Sequence, residues 1–479
     1  MGAGEDLGRW RNHFAKNVPN PRVAAKRPHG AKNEMQSNYA RIPSLAAMAA
    51  LACAMQMTSC SVPTSSLRQS PASPPWDWSG IIGTGQSLSV GARGLPVLST
   101  AQPYGNLKLA TDHLPWPVDP DSGALGLVPL VEPVGRLAPT YPSSWPENID
   151  GETPHSAMGN EVSAMAYANL GRAIISVHSA VGEDGQGMVF LKKNAVKKDL
   201  NGRSYEAALI ETRAIARLAR AAGKSYGVGA IIVTHGESDA GNASYEDELH
   251  QLWSDYNTDL ASITGQRQKI QMIVSQQNSC NDRSPSTLAQ WKVSDDYDAD
   301  MVCSGPKYQY PSAEGVHLTA EGYRLLGEKY GQVYFRRVVL GEAWKPLEPV
   351  GVERNGKTLT IRFHVPVPPL VWDRNLAAPH PSVAEWRNGK GFEVTTAAGD
   401  KVAIDSVGIS GDGVIIHSAS DPGPNAWVGY ATIGEKVRME APFPGTFRWG
   451  LLRDSDPFTG VGTGKPQPNY CVAFEMTAP

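Results

Sequence analysis

Three short stretches carry residue types that could do chemistry together. In SGIIGTGQSLSVGARG, Ser79 to Gly94, an apolar run ends in glycines and then a serine, Ser87. Glycine lets a backbone turn sharply at a strand end, so a following hydroxyl can stand exposed. Strand, turn, serine is one way a hydrolase displays a nucleophile. VTHGESDA, Val233 to Ala240, follows a second apolar run, and SAEGVHLTAEGYRLLGE places Glu314 three residues ahead of His317. A hydroxyl attacks poorly until a base takes its proton, and an imidazole base needs a carboxylate to fix its tautomer. Glu314 on the same tight turn as His317 can orient the ring for a distant Ser87. Ser89 is the alternative hydroxyl, and helix-end hydrogen bonding is the alternative duty for His317.

These side chains meet only if their segments end strands of one sheet. From Trp76 to about Leu340 the sequence alternates strand and helix. The strand candidates are SGIIGTG, AIISVHSA, VGAIIVTHG, KIQMIVSQQ and DADMVCSG. Between them lie helix candidates over 205–222 and 245–263, with a further one over 320–339, the first with Leu209, Ile215, Leu218 and Ala222 on or near one apolar face. Short apolar strands separated by helices give a parallel sheet covered on both faces, which binds ligands at the carboxyl ends of its strands. Ser87 falls at such an end. His178, in SVHSA, lies near the same edge and reads as a satisfied strand-end histidine. After Leu340 the texture changes to KTLTIRFHV, GFEVTTA, KVAIDSVGIS, GVIIHSA, KVRMEA and YCVAFEM, short segments with closely spaced turns. That is the pattern of a β-sandwich over 341–479. VGTGKPQ within it mimics a phosphate loop but lacks the first glycine, the Ser or Thr after lysine, and the following helix.

The chain has 479 residues, 41% hydrophobic and 19% charged, with a formal net charge of −3 and no basic stripe, which argues against a nucleic-acid partner. The N-terminal region differs. Within residues 1–60, the stretch from Met35 carries one Arg, an apolar run from Ile42 and small residues around Cys60, the layout of an export signal; the residues before Met35 are basic and polar, which makes Met35 a candidate true start. MTSC resembles a bacterial lipoprotein box, making Cys60 a candidate lipid anchor. Residues 61–75 are Ser/Pro-rich and read as a tether. With Cys53 and Cys60 in the leader, three cysteines remain. In an oxidising compartment Cys280 and Cys303 are a candidate pair. No Cys/His spacing implies a metal, and no cofactor is called for.

Together the three segments resemble the SGNH hydrolase superfamily, and within it the sialate O-acetylesterase-type carbohydrate esterases, over roughly 76–340. GQS matches the nucleophile block, HGESD the third block, and E-G-V-H-L-T-A-E-G-Y the last. The resemblance implies a flavodoxin-like three-layer α/β sandwich and ester hydrolysis through an acyl-serine intermediate. It makes Ser87 the nucleophile, His317 the general base and Glu314, where the superfamily commonly has Asp, the orienting carboxylate. It implies an oxyanion hole from the Ser87 N–H, Gly185 (Gly182 second) and the side chain of His235. Gln86, Glu237 and Asp239 are supporting residues, the last two bracing their loop through backbone hydrogen bonds. The implied partner is an acylated carbohydrate or polysaccharide. Two other functions fit the same residues: a lipid or aryl esterase, or an inactive glycan-binding protein.

Overall fold

The computed structural model describes residues 74–110, 117–134, 151–195, 203–436 and 446–479. All of these belong to a unit spanning 67–479. The leader, Cys60 and most of the Ser/Pro tether therefore lie outside the described residues, as does most of KVRMEA. No helix among the described residues is long and apolar enough to cross a membrane.

A seven-stranded sheet forms the frame, in the order β3-β2-β4-β1-β5-β6-β7. Its strands are β1 (Trp78–Gly85), β2 (Leu107–Ala110), β3 (Gly126–Pro129), β4 (Ile175–Ala180), β5 (Tyr226–Thr234), β6 (Gln271–Gln276) and β7 (Met301–Pro306). Every neighbouring pair is parallel except β2 with β3. The chain builds one side of β1 first and then crosses to the other, so β1 lies at the switch between halves, where the ends of neighbouring strands open a crevice.

The strands sort their side chains between two layers with a period of two. Ile81, Ala230, Ile232, Ile273 and Val302 face one core, shared with Met158 and Val162 of α1 (Pro154–Leu170) and Tyr323, Leu326 and Tyr330 of α6 (Ala320–Tyr334). Ile82, Ile231, Val233, Met272 and Val274 face the other, under α3 (Arg203–Ala221), α4 (Tyr245–Thr264) and α5 (Pro285–Asp296). A four-residue helix, α2 (Met188–Leu191), precedes α3. The five strand candidates are β1, β4, β5, β6 and β7. The third helix candidate ends as α6 at Tyr334, with a π turn over Phe335–Val339.

The chain after Leu340 is antiparallel, with a four-stranded sheet of 348–355, 358–364, 404–410 and 413–418 and a three-stranded sheet of 392–395, 426–430 and 474–478. Leu359, Ile361, Val394, Val414, Val428 and Phe474 from these sheets join the core under α3 to α5, so hydrophobic burial runs without a break from one region into the other.

His178 is satisfied, as its position suggested. Ser176 Oγ donates to Asn106 Oδ1 and so receives His178 Nε2–H at 2.8 Å; His178 Nδ1 then accepts from His155 Nδ1–H at 2.9 Å. Burial pushes both imidazoles below their ordinary range, His155 to about 3. Cys280, Cys303 and Cys471 are all free thiols, so Cys280 and Cys303 are not joined: Cys303 sits in the sheet on β7, whereas Cys280 lies on the loop leaving β6.

Candidate active site

Ser87 opens a three-residue 3-10 turn, Ser87–Ser89, directly past the end of β1. The turn begins at Gly85, whose φ of +134° suits glycine and whose Cβ, if present, would fall 2.3 Å from the Thr234 carbonyl oxygen. Backbone hydrogen bonds wind the turn: Ser89 N–H donates to Gln86 O at 2.8 Å and Ala92 N–H to Ser87 O at 3.1 Å. Ser89 is spoken for, because its Oγ donates to the Gln86 carbonyl at 2.6 Å. That bond leaves Ser87 as the hydroxyl of this turn that faces an imidazole.

The imidazole comes from the loop between β7 and α6. Ala313 N–H donates to His317 O at 2.8 Å, Ser312 Oγ donates to the same carbonyl at 3.1 Å, and Gly315 N–H donates to Ser312 Oγ at 2.6 Å. This closed loop places the Glu314 and His317 side chains together. Thr319 then caps α6, its Oγ1 accepting from Gly322 N–H. His317 Nε2 lies 2.7 Å from Ser87 Oγ, and His317 Nδ1 hydrogen-bonds Glu314 Oε1. The other carboxylate oxygen, Oε2, is 3.4 Å from Arg93 Nε. The hydrogen bond from His317, followed by its charge and that of Arg93, outweighs burial and holds the Glu314 carboxyl below its ordinary range. Ser87, His317 and Glu314, separated widely in sequence, are thus one hydrogen-bonded chain. Arg93, which carried no signal in the sequence, extends it.

The residues expected around them fall differently. Gln86 Oε1 accepts from Ser238 N–H at 2.9 Å, tying the loop after β5 to the residue before Ser87. Asp239 braces through the backbone, accepting from Met188 N–H at 2.6 Å. Glu237 does not. It forms a buried ion pair with Lys307 just past β7, Nζ to Oε1 at 2.7 Å, while its Oε2 has no hydrogen-bond partner among the described residues. His235 is fully buried with both ring nitrogens engaged. Nε2–H donates to the Gln186 carbonyl at 2.9 Å, which leaves Nδ1 to accept from Tyr245 O–H at 2.8 Å. Burial keeps the ring pKa low, favouring this neutral form. The side-chain donor expected of His235 is therefore committed to holding two loops together and is not free for a substrate oxyanion.

Of the two glycines weighed, Gly182 is the one packed on the serine turn. A Cβ there would sit 1.8 Å from Ser89 Oγ and 2.7 Å from the Gly85 carbonyl oxygen, and the adjoining Glu183 N–H donates to that carbonyl at 2.9 Å. Gly185, with φ of +67°, has no atom within 4 Å of the same construction and sits on an open bend. Sequence favours Gly185 because Gln186 follows it as in a family-like turn; the parallel pairing of β4 with β1 brings Gly182, and not Gly185, against the serine turn. No cluster of His, Cys, Asp and Glu among the described residues is arranged to hold a metal ion.

No protein-family model matches the chain, and no curated protein matches it in sequence. Solved structures do. A carbohydrate acetylesterase from Xanthomonas citri superimposes with a TM-score of 0.50 at 13% identity, covering 83% of this chain and 80% of its own. A protein from Arabidopsis thaliana has a TM-score of 0.39 at 17% identity, over 55% of this chain and 100% of its own. A carbohydrate acetylesterase from Sinorhizobium meliloti has a TM-score of 0.29 at 13% identity, over 53% of this chain and 96% of its own. The likeness to the Xanthomonas protein is one of fold, covers 83% of this chain and so more than the α/β region alone, and agrees with the α/β sandwich that the sequence resemblance implied.

The Lys307–Glu237 pair makes a prediction about stability. Removing one partner of a buried pair strands the other charge, at a cost of about 3–5 kcal/mol. Lys307→Met is expected to lower unfolding free energy by that order, and Lys307→Met with Glu237→Gln to recover most of it, measured by urea denaturation at neutral pH. A double variant no more stable than the single one would show that the pair is not coupled.

Proposed function

We propose that this chain is an exported serine esterase that hydrolyses O-acetyl or other short acyl esters on carbohydrate through an acyl-Ser87 intermediate. The observation that carries the reading is the His317 ring, bridging Ser87 Oγ at 2.7 Å and the Glu314 carboxylate at the carboxyl edge of a parallel sheet.

In this reading Glu314 holds the tautomer in which Nδ1 carries the proton, so the Nε2 lone pair faces the Ser87 hydroxyl. As Ser87 Oγ attacks the ester carbonyl, its proton passes to His317 Nε2 and the imidazolium that forms is stabilised by Glu314. The tetrahedral oxyanion is, in the same reading, met by the N–H of Ser87 in its turn and the N–H of Gly182 on the segment after β4; one such donor is worth about 2.7–4 kcal/mol to the transition state. His317 then returns the proton to the departing sugar oxygen. Water, deprotonated by the same nitrogen, releases the acyl group and restores Ser87. The balance needs only ester and water, with no cofactor. The fold likeness to a carbohydrate acetylesterase supports the sugar-ester class. Export, and anchoring through Cys60, rest on the apolar run and the MTSC sequence alone.

Ser87→Ala is expected to reduce p-nitrophenyl acetate hydrolysis by about 10³-fold or more, and a fluorophosphonate probe to label wild type at Ser87 but not the variant. Equal rates in the two proteins would remove Ser87 from the chemistry. Glu314→Gln, which keeps the shape but not the charge, is expected to lose about 10³–10⁴-fold in kcat. Acetate release from an acetylated monosaccharide should exceed turnover of long-chain esters; the reverse preference would point to a lipid esterase.

A pH effect follows from Arg93. Its guanidinium helps to hold the Glu314 carboxyl low, so in Arg93→Gln that carboxyl rises toward its ordinary value. The carboxylate is then protonated at a higher pH, so kcat/KM should fall further than in wild type at the acid end of the profile, below about pH 5, with the rate at neutrality nearly unchanged. A profile superimposable on wild type would separate Arg93 from the triad.

A further inference from the structure

The loop from His235 to Ala240 leaves β5 beside the nucleophile, and side chains grip three of its carbonyl groups. Gln290 Nε2 donates to His235 O at 2.6 Å, Ser286 Oγ to Gly236 O at 2.8 Å, and Ser284 Oγ to Ala240 O at 2.7 Å. All three converge on Gln277, the residue after β6. Its N–H donates to Gln290 Oε1 at 2.8 Å, and its Nε2 donates to Ser284 Oγ at 2.8 Å and Ser286 Oγ at 3.2 Å. The remaining atom of that amide, Oε1, accepts from Ser279 N–H at 2.9 Å and is held from the C-terminal region as well. Arg448 Nη2 donates to it at 3.1 Å and to Thr287 Oγ1 at 2.8 Å, while Arg448 N–H donates to the Asn278 carbonyl at 2.9 Å.

Arg448 is unusual in its own right. It is 0% exposed, and its hydrogen-bond acceptors are a neutral amide and a hydroxyl rather than a carboxylate. Its Nε and Nη1 have no partner among the described residues. Burial is costly enough to push the guanidinium down to about 10. A well-packed apolar side chain is commonly as stable or more so in such a place, so stability alone does not account for this arginine. What the guanidinium does make is the second bond to Gln277 Oε1, beside that of Ser279 N–H, and through it a further hold on the loop. Ser238 N–H in that loop donates to Gln86 Oε1 at 2.9 Å, and Gln86 immediately precedes Ser87.

We propose that Arg448 is a positioning residue for the esterase site: it fixes Gln277, which fixes the 235–240 loop, which holds Gln86 and the Ser87 turn. The inference rests on the esterase reading above. It makes the C-terminal region a working part of the hydrolase, because Arg448, just past the short strand 446–447, reaches the loop from there.

The test uses the full chain, p-nitrophenyl acetate and a fluorophosphonate probe. Arg448→Met is expected to lose about 10–100-fold in kcat with KM within about threefold of wild type, since small displacements of a reacting group carry penalties of that size. The labelling rate of Ser87 should fall in parallel, and Arg448→Lys should recover part of both. Arg354→Gln removes a guanidinium paired with Asp421 in the same C-terminal region and should leave both unchanged. A folded Arg448→Met protein with kcat within threefold of wild type overturns the proposal, as does a loss that disappears once the folded fraction is accounted for. If Arg448→Met does not fold, Ser286→Ala decides: it removes the one hydroxyl that links Gln277 Nε2 to the Gly236 carbonyl, and an unchanged kcat overturns the proposal. Wild type that neither turns over the ester nor labels at Ser87 would instead sink the esterase reading, and this proposal with it.

Discussion

A serine hydroxyl and an imidazole lie 230 residues apart in the chain and 2.7 Å apart in space, and most of the architecture bears on keeping them there. Neither group tolerates much error, because a proton transfers along a hydrogen bond of ordinary length and fails when it is stretched. The serine side is rigid because it closes the central strand, with Gly85 forced against the β5 carbonyl. The histidine side arrives from beyond the sheet's far edge, and the link is made by helix packing. Tyr323 on α6 is fully buried and donates its hydroxyl to the Ala92 carbonyl at 2.8 Å, so the helix that follows His317 is bonded to the turn that follows Ser87.

α6 is in turn held from the other side by the C-terminal chain. Glu328 accepts from Gly462 N–H, Thr463 N–H, Thr463 Oγ1 and Gln467 Nε2, and Lys329 donates to Gln467 O and Asn469 Oδ1. Burial raises the Glu328 carboxyl and lowers Lys329 to about 8, which measures how far both have been taken from water. At the end of β6, Gln276 exchanges two hydrogen bonds with Ala473, at 2.7 and 2.8 Å. Polar groups buried this deeply fix one arrangement by being expensive in any other. The C-terminal sheets therefore meet the α/β layer through satisfied polar contacts as well as apolar ones, in contrast to a module hung on a linker.

What the sequence showed and what it hid divide along physical lines. The parallel strands were legible because strands buried on both faces must be continuously apolar, and the loops at their ends because glycine, serine and histidine stand out against that background. Ser87, Glu314 and His317 were found by type and spacing, and the fold brings these three within hydrogen-bonding reach. Helix α1 was not legible: PHSAMGNEVSAMAYANL is rich in small and polar residues and is buried on much of its surface, so it shows no amphipathic stripe. The β2–β3 hairpin, four residues a strand, is too short for a period to register. Lys307, Gln277 and Arg448 carry no motif at all. Each matters through a partner far away in sequence, and only tertiary structure supplies that partner. His235 misled for the opposite reason: its motif position was right, but the register of α4 put Tyr245 on one ring nitrogen and the β4 exit loop on the other.

The glutamate at position 314 shows how a departure from a motif can be absorbed. A side chain one methylene longer than Asp, three residues from the imidazole, has more ways to miss it and more rotamer freedom to lose. Two features shorten the choice. The 312–318 loop is closed on itself, with Gly315 at φ of +88° making the bend, so the carboxylate starts from a fixed root. Arg93 then engages the oxygen that His317 does not use. An ion pair with a half-exposed arginine adds little to stability, so its effect lies in orientation. Because Arg93 belongs to the segment that begins with Ser87, the same stretch of chain presents the hydroxyl and aims the carboxylate. The serine and the carboxylate are joined twice, once through the imidazole and once around it by Arg93, and the extra methylene costs the arrangement little of its order.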